Sequence, residues 1–241
     1  MESNEIDSTR PSLARLLFRY ASEEKRYSVD ATRLHVSDLY DLCFRQVFLL
    51  RESNTAFHRI IPPGVRMKFE FGKALELVIV GWLDEMGVLR TTQPEFVNEE
   101  LGIVAHPDGE LMSGHILEVK GMDPALFRLA RRYPLPRHKF QVEAYLWLAK
   151  RREAVLFSAT WGNERQPFRD QTIHYNLKVG EVITRQVSRL REAEAGGLPP
   201  DRICQTLRDA RALTCPVAER CFAQDSARVE RTVGKELGYE R

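Results

Sequence analysis

The segment HPDGELMSGHILEVK, residues 106–120, has the most informative sequence pattern of this chain. It holds two short apolar runs on either side of Ser113-Gly114, a pattern typical of two strands joined by a tight turn. Because side chains alternate along a strand, Glu118 and Lys120 share one face. If the two strands pair, Asp108 lies near Glu118. The sequence therefore predicts two carboxylates and an ammonium group at one edge of a β-sheet.

These three groups have the chemistry that metal-assisted cleavage of a phosphodiester requires. Hard divalent cations such as Mg²⁺ and Mn²⁺ prefer carboxylate oxygens, and a bound cation lowers the pKa of its water. A lysine such as Lys120 can orient that water or offset the charge that builds on the phosphate. An ordinary explanation stays open, because Glu-x-Lys is common on solvated strands and Pro-Asp-Gly is a frequent turn.

Periodicity along the rest of the chain predicts an α/β fold. Residues 68–86 carry apolar side chains at a helical spacing. Further helices are predicted over 124–133, 138–151 and 179–195, and strands over 96–97, 103–105, 109–112, 115–119, 154–161 and 171–176. This order of elements predicts a central mixed sheet flanked by helices.

Composition divides the chain into three parts. Residues 1–35 form an N-terminal extension that is polar and then basic, residues 36–195 hold the predicted sheet, and residues 196–241 hold three of the four cysteines. The Gly-Gly-Leu-Pro-Pro stretch over residues 196–200 is the clearest hinge. We therefore expect a small cysteine-bearing lobe after the α/β core.

Composition also excludes several classes of protein. With 43% hydrophobic and 29% charged residues, the chain can build a core and is not disordered in bulk. Its longest apolar run, residues 77–83, is too short for a bilayer, and its polar N-terminus lacks a signal peptide core. No G-x-x-x-x-G-K-[ST] motif occurs, which argues against an ATP-driven motor. We expect a cytoplasmic protein with no membrane contact.

A local basic block offers a surface for DNA, although the net charge of only +2 gives no global signal. The basic side chains of this acid-free stretch are Arg128, Arg131, Arg132, Arg137, His138 and Lys139. Backbone phosphates would suit them, with binding that weakens as salt rises, but a solvated basic face stays open. Tyr133, Phe140 and Tyr145 could stack on unpaired bases or belong to the core.

Three further side chains are candidates for the same predicted site. Gln141 and Tyr145 are four apart on a predicted helix and therefore lie on one face. Glu76 interrupts an apolar run of another helix. Its carboxylate lies either at the solvated edge of that helix or beside a cation.

The four cysteines form a second group of candidate ligands. Cys204, Cys215 and Cys221 fall within a short polar segment, and Cys43 is far away in sequence. Four thiolates can hold Zn²⁺ or an iron–sulfur cluster. The absence of C-x-x-C weakens the zinc-ribbon interpretation, and four unrelated buried thiols remain an alternative.

The ordered motifs resemble those of RecB-type nucleases of the PD-(D/E)XK superfamily. The matching features are G-x-x-x-[acid or His], P-D, E-x-K and Q-x-x-x-Y, with one N-terminal and three C-terminal cysteines, over residues 37–222. The resemblance is to iron–sulfur RecB-like exonucleases, which include the fourth Cas protein family, its phage-encoded relatives and the nuclease domain of AddB. It implies a restriction-endonuclease-like core with a C-terminal iron–sulfur lobe.

The resemblance also implies roles for individual residues. Asp108, Glu118, the Val119 carbonyl and Glu76 would bind Mg²⁺ or Mn²⁺, with Lys120 as the catalytic lysine. Gln141 and Tyr145 would match the RecB-type helix motif that helps place DNA near the metal. A [4Fe–4S] cluster would be held by Cys43, Cys204, Cys215 and Cys221. The cluster would fasten the C-terminal segment to the start of the nuclease.

Two departures from the family pattern keep alternatives open. The family often has His where this chain has Glu76, and its C-terminal cysteines usually run C-x2-C-x5-C, whereas ten residues separate Cys204 from Cys215. The cysteines could therefore bind zinc instead of an iron–sulfur cluster.

The function expected from the resemblance is a DNA exonuclease acting on single strands or ends in recombination, repair or CRISPR adaptation. A CRISPR integrase or a phage recombinase could be its partner. The alternative is a non-cleaving adaptor that binds DNA ends on a nuclease fold, although the intact Asp, Glu and Lys set argues against it.

Overall fold

A computed structural model describes residues 12–22, 33–53, 63–162, 165–213, 215–223 and 232–239. Its strands are β1 (Leu34–His35), β2 (Leu89–Thr92), β3 (Phe96–Asn98), β4 (Ile103–Ala105), β5 (Gly109–Leu111), β6 (Ile116–Met122), β7 (Glu153–Thr160) and β8 (Phe168–His174). Its helices are α1 (Leu13–Ser22), α2 (Val36–Leu39), α3 (Phe44–Ser53), α4 (Pro63–Glu85), α5 (Pro124–Leu129), α6 (Pro136–Ala149), α7 (Leu177–Gly196), α8 (Ala210–Leu213), α9 (Ala218–Ala223) and α10 (Val233–Glu236).

The strands form two mixed sheets where the sequence predicted one. The larger sheet has the order β2-β5-β6-β7-β8, and only its central β6–β7 pair is parallel. The smaller sheet has the order β1-β4-β3, with β1 parallel to β4. The mixed α/β architecture that the sequence predicts is therefore present, with a second sheet beside the first.

The hairpin predicted from residues 106–120 is confirmed. Strands β5 and β6 pair antiparallel, with Gly109 opposite Leu117. The turn between them is closed by the Gly114 N–H, which donates to the Leu111 carbonyl at 2.8 Å. Gly114 has φ of 85°, a left-handed conformation that glycine adopts without a steric penalty. Asp108 is thereby placed at the entrance of the hairpin.

Helices cover both faces of the larger sheet. Apolar side chains of α4 pack on one face, in a cluster around Ile79, Leu117 and Val119. On the other face α6 and α7 enclose the main core, which includes Ile116 and Phe140. The alternation along β6 therefore sends Leu117 and Val119 toward α4, and Ile116 and Glu118 toward α6.

Two glycines let α4 approach β6 closely. A Cβ added to Gly121 would lie 2.6 Å from the carbonyl oxygen of Gly72. Real Cβ atoms do not approach a backbone oxygen so closely, and position 121 therefore needs a residue without a side chain, whereas a Cβ on Gly72 would meet the Gly121 carbonyl oxygen at an ordinary 3.5 Å. This contact fixes the middle of α4 against the C-terminal end of β6.

The C-terminal residues pack onto the main core. Val217, Cys221 and Val233 belong to the same apolar cluster as α6 and α7. The buried Arg45 of α3 donates to the Pro200 carbonyl at 2.7 Å, so the predicted hinge is held to the core. No separate iron–sulfur lobe is seen among the residues described.

The last described residue reaches the helix that faces the larger sheet. The Tyr239 hydroxyl contacts the buried Glu143 carboxylate of α6, and Asn176 donates to the same hydroxyl at 3.2 Å. Gly234 lies against the Tyr40 ring, where a Cβ would come within 2.6 Å of the ring. Residues 232–239 therefore close over α6.

Several element boundaries differ from the sequence-based expectation. The helix predicted over 68–86 begins five residues sooner, at Pro63, because proline is well tolerated in a first helical turn. The two-residue strand Leu34–His35 and the strand Leu89–Thr92 were not predicted. None of the described helices is long and apolar enough to cross a membrane.

Candidate active site

Asp108 lies where the hairpin prediction puts it. It ends the loop before β5, and its Oδ2 accepts a hydrogen bond from the Val119 backbone N–H at 2.6 Å. The antiparallel register of β5 and β6 creates this contact across the hairpin. Asp108 is therefore fixed beside Glu118 and Lys120.

Glu118 is the centre of the site. Its side chain is buried, and Oε1 accepts from Lys120 Nζ at 2.5 Å and from Gln141 Nε2 at 2.8 Å. Its other oxygen, Oε2, is buried and has no hydrogen-bond partner among the described residues. One carboxylate of β6 is thus held by a cation and an amide while one oxygen remains free to accept.

Helix α6 supplies the amide. Gln141 Nε2 also lies 2.5 Å from the Tyr145 hydroxyl, which accepts from it. The predicted shared face of Gln141 and Tyr145 is therefore present, and Gln141 links Tyr145 to Glu118. Tyr145 itself is buried and contributes its ring to the core.

Helix α4 supplies a third carboxylate. Glu76 Oε1 accepts from the Gly121 N–H at 3.2 Å, next to Lys120 in the chain. Glu76 is half-buried, and the positive charges of Lys120 and Lys73 favour its ionised form. The contact between Gly72 and Gly121 makes this approach possible.

Burial dominates the electrostatics of the three carboxyls. It raises the pKa of Glu118 to about 8, which Lys120 opposes and Asp108 reinforces. Burial also raises the pKa of Glu76 and of Asp108, again opposed by Lys120 or by a backbone N–H. Burial alone would lower the pKa of Lys120, but the three carboxylates raise it above its usual value. When all three are ionised, the carboxyls carry more negative charge than one ammonium neutralises.

His138 is the site residue that the sequence reasoning misplaced, because it was counted in the basic block. Burial, followed by the charges of Lys120 and Arg137, lowers the pKa of His138 to about 3, so the imidazole is neutral. Its Nδ1 is buried without a hydrogen-bond partner in the described part of the chain. His138, Gln141 and Tyr145 are spaced i, i+3 and i+7, the spacing of one helix face, and that spacing was the available signal.

The donor set suits a hard divalent cation. Three carboxyls act on Lys120 through their charges, and one buried oxygen of Glu118 has no hydrogen-bond partner in the described ranges. A cation would offset the surplus negative charge and satisfy that oxygen. As the side chains stand, however, no three His, Cys, Asp or Glu residues of the described ranges are grouped closely enough to hold a metal ion.

The basic block is only partly available to an external anion. Arg137 pairs with Asp41 at 3.8 Å, and Lys139 pairs with Glu143 at 3.7 Å. The other three arginines are exposed and make no ion pair with a described residue: Arg128, Arg131 and Arg132.

The structure separates the three aromatic candidates for base stacking. Phe140 and Tyr145 are buried in the main core, so they cannot stack on a base. Tyr133 is exposed.

All four cysteines line one small pocket between α3 and the C-terminal helices, although the chain separates Cys43 from the others by more than 150 residues. Their mutual proximity argues against four unrelated thiols. The pocket also includes Gln46 and Ile203. As in the acidic site, the thiols are not grouped tightly enough to hold a metal ion as they stand.

Burial raises the pKa of Cys43, and backbone N–H groups of Gln46 and Ile203 oppose this by donating to its sulfur. Burial likewise raises the pKa of Cys215 to about 11, with the neighbouring cysteines adding to the shift. Such thiols are protonated at neutral pH without a metal. Loading a cluster or zinc would therefore release protons.

Comparison with known proteins identifies the fold. No protein-family model and no curated protein matches the chain. Among solved structures, an alkaline exonuclease, LHK-Exo from Laribacter hongkongensis, is 15% identical at a TM-score of 0.54, covering 76% of this chain and 93% of that one. LHK-Exo in complex with dAMP is 14% identical at a TM-score of 0.52, with the same coverage.

A phage-related exonuclease from Haemophilus somnus is 12% identical at a TM-score of 0.49, covering 70% of this chain and 95% of that one. At such identities a structural likeness establishes shared architecture. The two LHK-Exo structures, above a TM-score of 0.5, show that this chain has the nuclease fold of that alkaline exonuclease.

Proposed function

We propose that the protein is a divalent-metal-dependent deoxyribonuclease that acts as an exonuclease on single-stranded DNA or DNA ends. The observation that carries this proposal is the buried Glu118, which is held by Lys120 and Gln141 beside Asp108 and has one oxygen that no described residue hydrogen-bonds. The fold shared with an alkaline exonuclease, which is also solved with dAMP, supports it.

Asp108 and Glu118, with Glu76 and the Val119 carbonyl, would hold Mg²⁺ or Mn²⁺. When bound, the cation would polarise the scissile phosphate and make a water molecule more acidic. Asp108 is oriented by the Val119 N–H, and Glu76 by the Gly121 N–H. Two backbone groups of β6 thus orient two of the carboxylates.

Lys120 acts as a charged donor. Its pKa is raised by the surrounding carboxylates, so the ammonium stays protonated and does not accept a proton. It can donate to a phosphate oxygen as negative charge develops there. Gln141, held at Tyr145, keeps Glu118 in the orientation that leaves Oε2 free.

The cysteine pocket is proposed to hold a [4Fe–4S] cluster, with Zn²⁺ as the alternative. Thiolates are the ligands that both groups use, and the N–H groups directed at Cys43 suit a thiolate. A group bound by Cys43 and the three later cysteines would fasten residues 204–221 to α3. Its part would be structural.

The nuclease proposal is tested with end-labelled single- and double-stranded DNA, blocked at the 5′ or 3′ end, in Mg²⁺, Mn²⁺ or EDTA. We expect metal-dependent shortening of the DNA that Asp108→Ala and Lys120→Ala abolish. Lys178→Ala, which changes an exposed lysine of α7, is the matched control and should cleave normally. Unchanged cleavage by Asp108→Ala would overturn the assignment, and tight metal-free binding without turnover would favour the adaptor.

The cluster proposal is tested by iron, sulfide and zinc analysis of protein purified without oxygen. We expect iron and sulfide that disappear in Cys43→Ser. Stoichiometric zinc without sulfide would replace the cluster with the zinc alternative.

The proposed cellular setting is recombination, repair or CRISPR adaptation, with an integrase or a recombinase as partner. Co-purification with such a partner tests it.

A further inference from the structure

An exposed aromatic pair stands at the same sheet edge as the carboxylates. Phe71 of α4 and Trp161, the residue after β7, have ring centroids 6.1 Å apart. Phe71 is 58% exposed and Trp161 is 52% exposed. Large apolar rings that remain half in solvent beside a candidate active site are candidates for contact with a substrate.

Backbone contacts tie this pair to the acidic site. Phe71 immediately precedes Gly72, whose carbonyl lies against Gly121, and Gly121 follows Lys120. The parallel β6–β7 register puts Met122 opposite Thr160, so Trp161 leaves the sheet beside the end of β6. The pair therefore lies on the α4 side of the edge that carries the carboxylates.

Basic side chains are also present on α4 and α5, the helices next to the pair. Gly162 packs on Pro124, where an added Cβ would come within 2.1 Å of the proline ring, so α5 begins beside Trp161. Helix α5 carries the exposed Arg128, and the exposed Lys73 follows Phe71 by two residues on α4. Stacking surfaces beside such charges are how proteins bind single strands without reading sequence.

We infer that Phe71 and Trp161 form a stacking platform for an unpaired base of single-stranded DNA as its backbone enters the acidic site. This inference rests on the proposed function and narrows it, because bases paired inside a duplex cannot reach the rings. It also replaces Phe140 and Tyr145, whose rings are buried, as the aromatic contacts to DNA.

The chain provides a matched control pair, one ring of which lies on the same helix as Phe71. Trp82, also half-exposed, packs edge-on against Phe168 with ring centroids 6.5 Å apart. Trp82 is eleven positions beyond Phe71, which is about 16 Å along a helix. If single-stranded DNA contacted any exposed aromatic ring, Trp82 and Trp161 would contribute alike to binding.

The test measures binding of a fluorescent oligothymidylate in EDTA, where cleavage cannot occur, by the full chain and its variants. We expect Trp161→Leu to weaken binding about tenfold. Trp161→Phe, which keeps a ring, should bind within about twofold of the unaltered protein, as should Trp82→Leu. Replacing one thymine by an abasic site at the position that contacts the rings should weaken binding by the unaltered protein. The same replacement should leave binding by Trp161→Leu unchanged.

Thermal unfolding confirms that each variant is folded. A blunt duplex serves as the control ligand, and Trp161→Leu should bind it as the unaltered protein does. Equal loss in Trp161→Leu and Trp82→Leu, or no loss in Trp161→Leu, would overturn the platform. Absence of any binding to single strands would overturn it as well. Normal binding with no cleavage in Mg²⁺ or Mn²⁺ would instead overturn the nuclease proposal and leave the platform intact.

Discussion

Gly72 and Gly121 touch through their backbones, and a Cβ on Gly121 would lie 2.6 Å from the Gly72 carbonyl oxygen. The contact joins the helix that carries Glu76 to the strand that carries Lys120. It also sets the distance at which the Gly121 N–H reaches Glu76. The acidic site therefore depends on a position that has no functional side chain.

Gly121→Ala should destabilise the protein and reduce cleavage. The added methyl group forces α4 away from β6, with a cost of about 1–3 kcal/mol in the free energy of unfolding. Urea unfolding measures it. Gly81→Ala, in the exposed interior of α4 with nothing within 4 Å, is the control and should stabilise by about 0.5–1 kcal/mol. Equal stability of the two variants would contradict this prediction.

Tyr145→Phe should lower the cleavage rate about fivefold with little effect on folding. The ring remains in the core, but Gln141 loses the hydroxyl that it bonds at 2.5 Å and holds Glu118 less firmly. We expect the loss in kcat, since DNA is not contacted. Steady-state kinetics separate kcat from KM, and a rise in KM alone would show that Tyr145 acts differently.

Metal-free protein should lose stability as pH rises toward 8. The pKa of Glu118 is about 8 in the folded state against 4.5 for an ordinary glutamate, so the folded state binds more protons between these values. The free energy of unfolding therefore falls with rising pH across this window. Glu118→Gln should flatten the fall.

Urea unfolding in EDTA from about pH 5 to about pH 9 measures this slope. Some slope should remain in Glu118→Gln, because burial also raises the pKa of Asp108 and of Glu76. Adding Mg²⁺ should stabilise the unaltered protein more at the alkaline end. If the free energy of unfolding falls with pH as steeply in Glu118→Gln as in the unaltered protein, Glu118 is not the group whose pKa is raised.

His138 should stay neutral from about pH 5 to pH 8, since burial holds its pKa at about 3. Its imidazole signals in NMR spectra should not move over this range. His138→Phe identifies those signals by their loss. A signal that titrates near pH 6 and is absent from His138→Phe would show that His138 carries a positive charge.

The core of the site could be predicted because it is local in sequence. Asp108, Glu118 and Lys120 fall within one hairpin, where strand alternation and the Gly114 turn decide which side chains meet. Gln141 and Tyr145 follow from helical spacing alone. Strand alternation, turn geometry and helical periodicity were sufficient to predict these contacts.

Contacts between distant segments could not be predicted in the same way. A two-residue strand such as Leu34–His35 has no periodicity, so its parallel pairing with β4 leaves no sequence signal. The approach of Glu76 to β6 depends on the contact between Gly72 and Gly121. A glycine in a sequence does not indicate which distant residue it will contact. The burial of His138, Phe140 and Tyr145 follows from tertiary packing, although the His138 spacing was visible.

The contact between Tyr239 and Glu143 has a genetic consequence. Glu143 is buried on α6 two positions after Gln141, and the Tyr239 hydroxyl is one of its partners. A nonsense or frameshift mutation just before codon 239 would remove that hydroxyl and leave a buried carboxylate short of a donor. Such an allele would behave like a missense mutation in the helix that positions Glu118, even though every site codon is intact.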